Sequence, residues 1–398
     1  MPLKSKRPLF CTKMTWRERS ALCLGNQLVR LVALTGGGHV AEFRFETGSG
    51  LPALSPLWTP PWRTIEPYLY REETHASCYG TITEGKLLSG IVGHNICLDY
   101  FGSPSPEEAA AGLSQHGEAP SSKWRKTKIE TEENKVLLGM GVRLPMAGLS
   151  FEREITLRAG ESVAYFQETV RNDRSYDHFF QWTQHVTLGP PFAHEKESYV
   201  VLPATKGLTF PHGYDEGKAL LQSGKEFRWP QAPAASGGKV DLSRTFIKRG
   251  LGFVAAVLFD PDRDNVFIAA VNRQRQLLFG YCFRRQDFPW ACVWEENRAI
   301  SARPWNGQTQ ARGLEFTTNP IPVPRRESFA LGKLFGTPTL SYIPAGGQKT
   351  VRYAAFLAPI PPDFDEVRDI QVGGAAIHVM GTKGKTVVVP ATGLDGAA

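Results

Sequence analysis

The stretch "LSFEREITLRAGESVAYFQETVRND", residues 149–173, decides the fold class. Leu149, Phe151, Arg153, Ile155 and Leu157 alternate with Ser150, Glu152, Glu154 and Thr156. That period of two is what a half-buried strand requires, because successive side chains leave the pleat on opposite faces. "RAGE" then supplies a turn, and a second β-rich run ends at "RND". The pattern predicts an antiparallel hairpin with one face against a core.

The same signal recurs on both sides of this hairpin. "QLVRLVALTGGGHVAEFRFE" (27–46) reads as two strands about a triple glycine, and "KVLLGMGVRLP" (135–145), "GFVAAVLFD" (252–260) and "NVFIAAVNRQRQLLFGYCF" (265–283) continue the series. "TVRYAAFLAP" (350–359) and "AIHVMGTKGKTVVVP" (376–390) close it. Helical signal is confined to "SPEEAAAGLSQ" (105–115), where Ser-Pro-Glu-Glu forms a cap-like start. The 39 glycines and 29 prolines lie between apolar runs, as in a chain of many strands and turns. These features predict an all-β protein, a large antiparallel β-sandwich. The prolines of "APIPPDFDE" (358–366) mark a boundary. The expected organisation is an N-terminal extension (1–24), a β-sandwich body (25–360) and a short C-terminal β-appendage (361–398).

Composition removes several classes of function. No apolar run approaches the ~20 residues of a membrane helix, and the basic N-terminus lacks an apolar segment behind it. Membrane insertion and secretion are not expected, and the default compartment is the cytoplasm. Six scattered cysteines without a CxxC argue against a disulfide framework and a cysteine zinc site. The net charge of +7 reads either as a solvated basic surface or as attraction to anionic ligands such as sugar acids or sugar phosphates. "SSKWRKTK" (121–128) is too short and isolated to indicate nucleic acid. A Gly-x-Ser-x-Gly elbow is missing, and "TGGGH" (35–39) lacks the Lys-Ser/Thr of a phosphate loop. No cofactor is expected.

Four segments place polar or ionisable groups beside turns and aromatics. They are "PPWRTIEP" (60–67) with Trp62 and Arg63, "SQHGEAP" (114–120) with His116 and Glu118, "QWTQHVTLGPPF" (181–192) with His185, and "DFPWACVWEENRAISARPWNGQTQARGLEF" (287–316) with Trp294, Glu295, Glu296 and Arg298. Tryptophan offers an apolar face to the C–H face of a sugar ring while polar neighbours take its hydroxyls.

The order of these segments resembles the aldose 1-epimerase (galactose mutarotase-like) superfamily over roughly residues 25–360. In "YFQETVRNDRSYDHFFQWTQHVTLGPPF", Asn172 and His185 match the family's strand-ending asparagine and catalytic histidine. "HGEAP" places His116 at the substrate-contacting histidine, and "CVWEEN" resembles the short strand bearing the catalytic glutamate, which points to Glu295. "RGLEFTTNPIP" resembles a late strand of outlying members. His185-Val-Thr-Leu-Gly replaces the usual His-x-Tyr-Phe-Asn-Leu, and Gly117-Glu118 replaces a double glycine.

The resemblance implies a β-supersandwich and an isomerase that interconverts sugar anomers. One group removes the C1 hydroxyl proton and another protonates the ring oxygen, a task suited to histidine and a carboxylate near neutral pH. The expected pair is Glu295 as base and His185 as acid. His116 would bond the ring oxygen or a neighbouring hydroxyl, and Arg63, Trp62, Trp294, Arg298 and Glu118 would hold the sugar. Period two sends Glu295 and Glu296 to opposite faces, so only one can meet the substrate. The expected partner is a monosaccharide or sugar derivative, neutral or anionic, bound by a monomer or homodimer, with no nucleic acid and no membrane. Two alternatives remain open: a non-catalytic carbohydrate-binding protein, and a metal-dependent sugar isomerase or lyase using His116, Glu118, His185 and Glu295 as ligands.

Overall fold

The computed structural model describes residues 9–215 and 217–394. Two large antiparallel sheets face each other, one of thirteen strands and one of eight. The hairpin at 149–173 belongs to the eight-stranded sheet, with strands Leu149–Arg158 and Val163–Asn172 paired from Leu149 opposite Asn172 to Leu157 opposite Ala164. Its alternation is visible in burial: Leu149, Phe151, Arg153, Ile155 and Leu157 are buried, and the intervening residues are not.

The inner faces of the two sheets make the main core. Leu24, Leu31, Phe43, Ile96, Val293 and Phe316 from the larger sheet pack in one cluster with Leu138, Phe151, Ile155, Phe166 and Tyr353 from the smaller. Each fully buried side chain of this kind contributes about 1.5–3 kcal/mol.

A polar network crosses this core. Arg153 Nε donates to Glu168 Oε1 at 2.6 Å with both side chains sealed from solvent. Tyr353 donates to the same carboxylate at 2.7 Å, and Gln184 of the larger sheet donates to Glu168 Oε2 at 2.5 Å. The ring nitrogen Nε2 of His94 lies 2.9 Å from Gln184 Oε1. The network therefore ties strand Thr183–Leu188 to the opposite sheet through the residue just before His185.

Residues 10–24, expected to be an extension, are instead part of the larger sheet. Phe10–Trp16 and Arg19–Gly25 form its outermost hairpin, and Arg19–Gly25 pairs onward with Val29–Leu34. Ala21, Leu22, Cys23 and Leu24 are all buried, so this strand is covered on both faces, as an interior strand of a packed sheet is. Residues 1–8 of that expectation lie outside the described residues.

Residues 367–390 fold into a three-stranded sheet that lies on the outer face of the smaller sheet. Ile370, Ile377, Val379 and Val389 pack there against Val163, Tyr165, Phe267, Ala269 and Phe356. Glu161 ties the end of the chain down by accepting from the backbone N–H of Thr392 at 3.0 Å.

The helix at Pro106–Ala110 starts with a full capping box between Ser105 and Glu108. Three further helices, Glu72–Tyr79, Ile82–Leu88 and Arg325–Leu331, carried no readable signal. Each spans about two turns, and Glu72–Tyr79 buries only Tyr79, so no apolar stripe develops. No helix among the described residues is long and apolar enough to cross a membrane.

Candidate active site

Strand register assembles the site. In the larger sheet, strands His94–Cys97, Thr183–Leu188, Gln310–Thr317 and Trp290–Asn297 lie side by side. His185 is opposite Asn95, and the pairs Gln184–Phe316 and Thr187–Gly313 set it across from Glu315. Glu315 is opposite Cys292 in turn. Directly paired residues share a face of a sheet, so Asn95, His185, Glu315 and Cys292 form one row. Gln184, Val186, Leu314 and Phe316 point the other way, into the core.

His185 Nε2 and Glu315 Oε1 are 3.2 Å apart. The other ring nitrogen, Nδ1, lies 3.4 Å from Asn95 Nδ2 and 3.3 Å from Thr187 Oγ1. The His116 ring sits 4.7 Å from that of His185 and stacks on Phe101. His116 Nδ1 is 2.5 Å from the Phe101 carbonyl oxygen, so this nitrogen carries the proton and donates, leaving Nε2 as an acceptor.

Local backbone chemistry holds His116 in place. His116 and Gly117 both have left-handed backbones, at φ 68° and 79°. A side chain on Gly117 would come within 2.3 Å of the Leu98 carbonyl oxygen, so glycine is required for the chain to pair there. Gly313 plays a similar part on the other flank. A Cβ there would meet the Trp294 indole at 1.8 Å, and its absence lets that ring lie across the sheet, 6.1 Å from His185.

The row is covered. His185, His116 and Glu315 are 4 %, 5 % and 1 % exposed. Trp58, Trp62 and Trp305 form an aromatic cluster with Trp294, Leu87 and Leu88 over the neighbouring Ala311. The segment after Asn297 folds back because Glu296 accepts from the N–H groups of Ala299 and Ile300, at 2.5 and 3.1 Å. Arg303 then reaches the Ser77 carbonyl oxygen on helix Glu72–Tyr79.

Burial drives each group toward its neutral form. It lowers the His116 pKa to about 4, with the Phe101 carbonyl offsetting it only in part. His185 is held well below the usual histidine range by burial first and by His116 second. Glu315 is pushed well above the usual carboxylate range by burial, which the nearby Trp294 N–H and Cys292 thiol counter incompletely. Among the described residues, neither Glu315 oxygen, nor Trp294 Nε1, nor Asn95 Oδ1 has a partner in hydrogen-bond geometry. Four unpartnered polar atoms around one row are unusual in a protein interior, where each costs about 1–3 kcal/mol.

Glu295 does not join this row. It lies on the opposite face of its strand, where its carboxylate accepts from the N–H groups of Phe246 and Ile247 at 2.6 and 2.9 Å. Arg312 stands 3.9 Å away, and burial raises the Glu295 pKa to about 7. Alternation did separate Glu295 from Glu296, but Glu296 shares the Trp294 face and is occupied by Tyr214 and the turn at 299–300. Arg63 is exposed and paired with Glu18 at 2.5 Å. Trp62 donates to the Leu88 carbonyl oxygen at 2.9 Å within the aromatic cluster. Arg298 follows the strand in a left-handed conformation, with its guanidinium 3.4 Å from Gln310 Oε1. Glu118 accepts from the Ala147 N–H at 2.7 Å. The set His116, Glu118, His185 and Glu295 therefore does not converge, and no group of three or more His, Cys, Asp or Glu among the described residues is arranged to hold a metal.

Glu315 is the residue that sequence reasoning passed over. It stands in "RGLEF", as an ionisable group between the apolar Leu314 and Phe316 and on the opposite face of the strand from them.

No family model matches this sequence, and no curated protein matches it significantly. Solved structures do match its architecture, a large β-sandwich. A provisionally named aldose 1-epimerase from Klebsiella pneumoniae aligns over 87% of this chain and 80% of its own, at 15% identity and a TM-score of 0.61. A galactose mutarotase-like protein from Clostridium acetobutylicum aligns over 89% and 99%, at 11% identity and a TM-score of 0.60. Another from Lactobacillus casei aligns over 85% and 99%, at 12% identity and a TM-score of 0.51. The chain has the galactose mutarotase-like fold.

Proposed function

We propose that this protein acts on carbohydrate, interconverting the anomers of an aldose or aldose derivative, with His185 and Glu315 as the acid/base pair. The observation that carries this reading is the 3.2 Å approach of His185 Nε2 to a buried carboxyl with no other partner in hydrogen-bond geometry. Fold likeness to mutarotase-like structures supports the substrate class by analogy.

Protonation decides the roles. With Glu315 protonated and His185 neutral, Glu315 donates to Nε2, and a rotated Asn95 amide offers its free Oδ1 to the Nδ1 proton. This choice gives partners to groups that otherwise have none. A bound sugar then gives its C1 hydroxyl proton to His185 Nε2 as the C1–ring oxygen bond breaks. The ring oxygen takes the Glu315 proton, and an open-chain aldehyde results. Rotation about C1–C2 and the reverse transfers close the ring on the other face. His185 is thus the base and Glu315 the acid, the reverse of the polarity expected from the resemblance. His116 offers only an acceptor at Nε2, so it receives a sugar hydroxyl rather than donating to the ring oxygen.

The near-complete cover over the row favours a second reading, a sugar-binding protein without turnover. Anomer exchange measured by NMR separates the two. Wild type and Glu315→Gln are tested against aldoses, uronic acids and sugar phosphates. Exchange that disappears in the variant supports the epimerase, and binding without exchange supports the second reading.

A further inference from the structure

We propose a second binding site, for an acidic oligosaccharide, on the open half of the smaller sheet's outer face. The C-terminal sheet covers the other half, where the outward residues are apolar: Val163, Tyr165, Phe267, Ala269 and Phe356. Beyond that cover the outward residues change character. Register places Arg143, Ser150, Arg171 and Gln348 in one cross-strand row. Arg125, Gly141, Glu152, Thr169 and Thr350 make the next. These two rows, Thr350 apart, line a groove of about 690 Å³ together with Lys123 and Thr127. That volume lies within the range of about 300–1,000 Å³ for sites that take small ligands.

Arg171 is paired with Asp173, but the charges of Arg125 and Arg143 are not used up by the fold. The Arg125 guanidinium makes no hydrogen bond or ion pair with any described residue. Arg143 has Asp173 nearby, but that carboxylate already accepts from Arg171 at 2.8 Å and from Ser150. Lys123 places its ammonium over the Tyr68 ring, 5.3 Å from the centroid. Facing these cations is a single lining carboxylate, Glu152, which is exposed. Gly141 keeps the floor low, since a Cβ there would press within 3.3 Å of Thr127.

The mixture selects the ligand chemistry. Arginines take carboxylates through paired N–H donors, and the Ser, Thr and Gln side chains of the floor exchange hydrogen bonds with hydroxyls. Glu152 repels any polyanion, but it accepts from a sugar hydroxyl, a donor that the backbone of a DNA strand lacks. No aromatic ring lies open on the floor for a base to stack on, because Phe151 sends its ring into the core. A chain carrying both carboxylates and hydroxyls satisfies all of these groups, and a nucleic acid does not.

The test uses hexagalacturonate as probe, titrated calorimetrically into the full-length protein at low ionic strength. Saturable binding is expected, weakening as salt rises. The exposed double variant Arg125→Ala/Arg143→Ala should bind about tenfold more weakly or worse, with unchanged thermal unfolding and unchanged anomer exchange at His185. Maltohexaose, uncharged, should not bind. Glu152→Ala should strengthen oligothymidylate more than hexagalacturonate, since both lose a repulsion and only the sugar chain also loses a hydrogen bond. Absence of hexagalacturonate binding, equal binding by the double variant, or tighter binding of oligothymidylate than of hexagalacturonate by wild type would each overturn the proposal.

Discussion

Strand Thr183–Leu188 carries two adjacent residues that each meet a buried carboxylate, and the two meetings are opposite in kind. On the inner face, Gln184 joins Glu168, whose oxygens accept from Arg153, Tyr353 and Gln184 itself. The charge there is matched and its acceptors are filled. On the outer face, His185 meets Glu315, which has no cation beside it and two oxygens without partners in hydrogen-bond geometry. Burial alone therefore does not distinguish a structural cluster from a reactive one. Saturation of the carboxylate does: Glu168 has no acceptor left for a ligand, and in its network Arg153 Nη2 is left without a partner, whereas the outer group has a proton, a lone pair and an indole N–H to offer.

Substitutions can break this contrast. Glu315→Gln, nearly isosteric, should cut anomer exchange by about 10²–10⁴-fold while leaving unfolding in urea almost unchanged. His185→Ala should match it in rate. On the inner face the same kind of change should act on stability instead. Glu168→Ala strands Arg153 in the core and should cost about 3–5 kcal/mol, read as a lower urea midpoint. If Glu168→Ala left stability intact, or Glu315→Gln left exchange intact, the division by saturation would be wrong.

Glu295 tests an intermediate case, a buried carboxyl held by two backbone N–H groups and Arg312. Its folded pKa of about 7 lies above the ordinary value of 4.5, so between those values the folded state binds more protons than the unfolded one. Stability should therefore fall as pH rises from about 4.5 to about 7 and then level off, by on the order of 3 kcal/mol from this group. Glu295→Gln should flatten that share of the slope in urea unfolding at a series of pH values, with exchange at neutral pH retained. Smaller still, His116→Ala should raise KM about tenfold with a lesser effect on kcat, the loss of one acceptor for a sugar hydroxyl. Arg63→Ala removes an exposed pair with Glu18 and should change stability by about 0–1 kcal/mol and exchange not at all.

Much of the architecture was legible. Alternation from Leu149 to Leu157 set both the strand and its buried face, and the glycines at 36–38 marked the turn between Val29–Leu34 and Val40–Phe45. The first hairpin carries little signal in the sequence because Phe10–Trp16 is an edge strand with little buried surface. The short helices escaped for want of an apolar stripe. In the site, His185 and His116 could be singled out by type and order, and the structure brings them together. The carboxylate could not, since "WEEN" and "GLEF" offer three glutamates in strands of similar composition.

What the sequence determined by itself is therefore local: which residues lie on strands, and which neighbours within a strand share a face, because a pleat of period two admits no other arrangement. Which strands come to lie side by side, and which glutamate meets His185, were decided only by the tertiary structure. The register between Thr183–Leu188 and Gln310–Thr317 joins segments far apart in the chain. A slip of one residue would have turned Glu315 inward and Leu314 outward. The packing of Leu314 and Phe316 against the smaller sheet is what forbids that slip, and so it is the core that places the carboxyl beside the histidine.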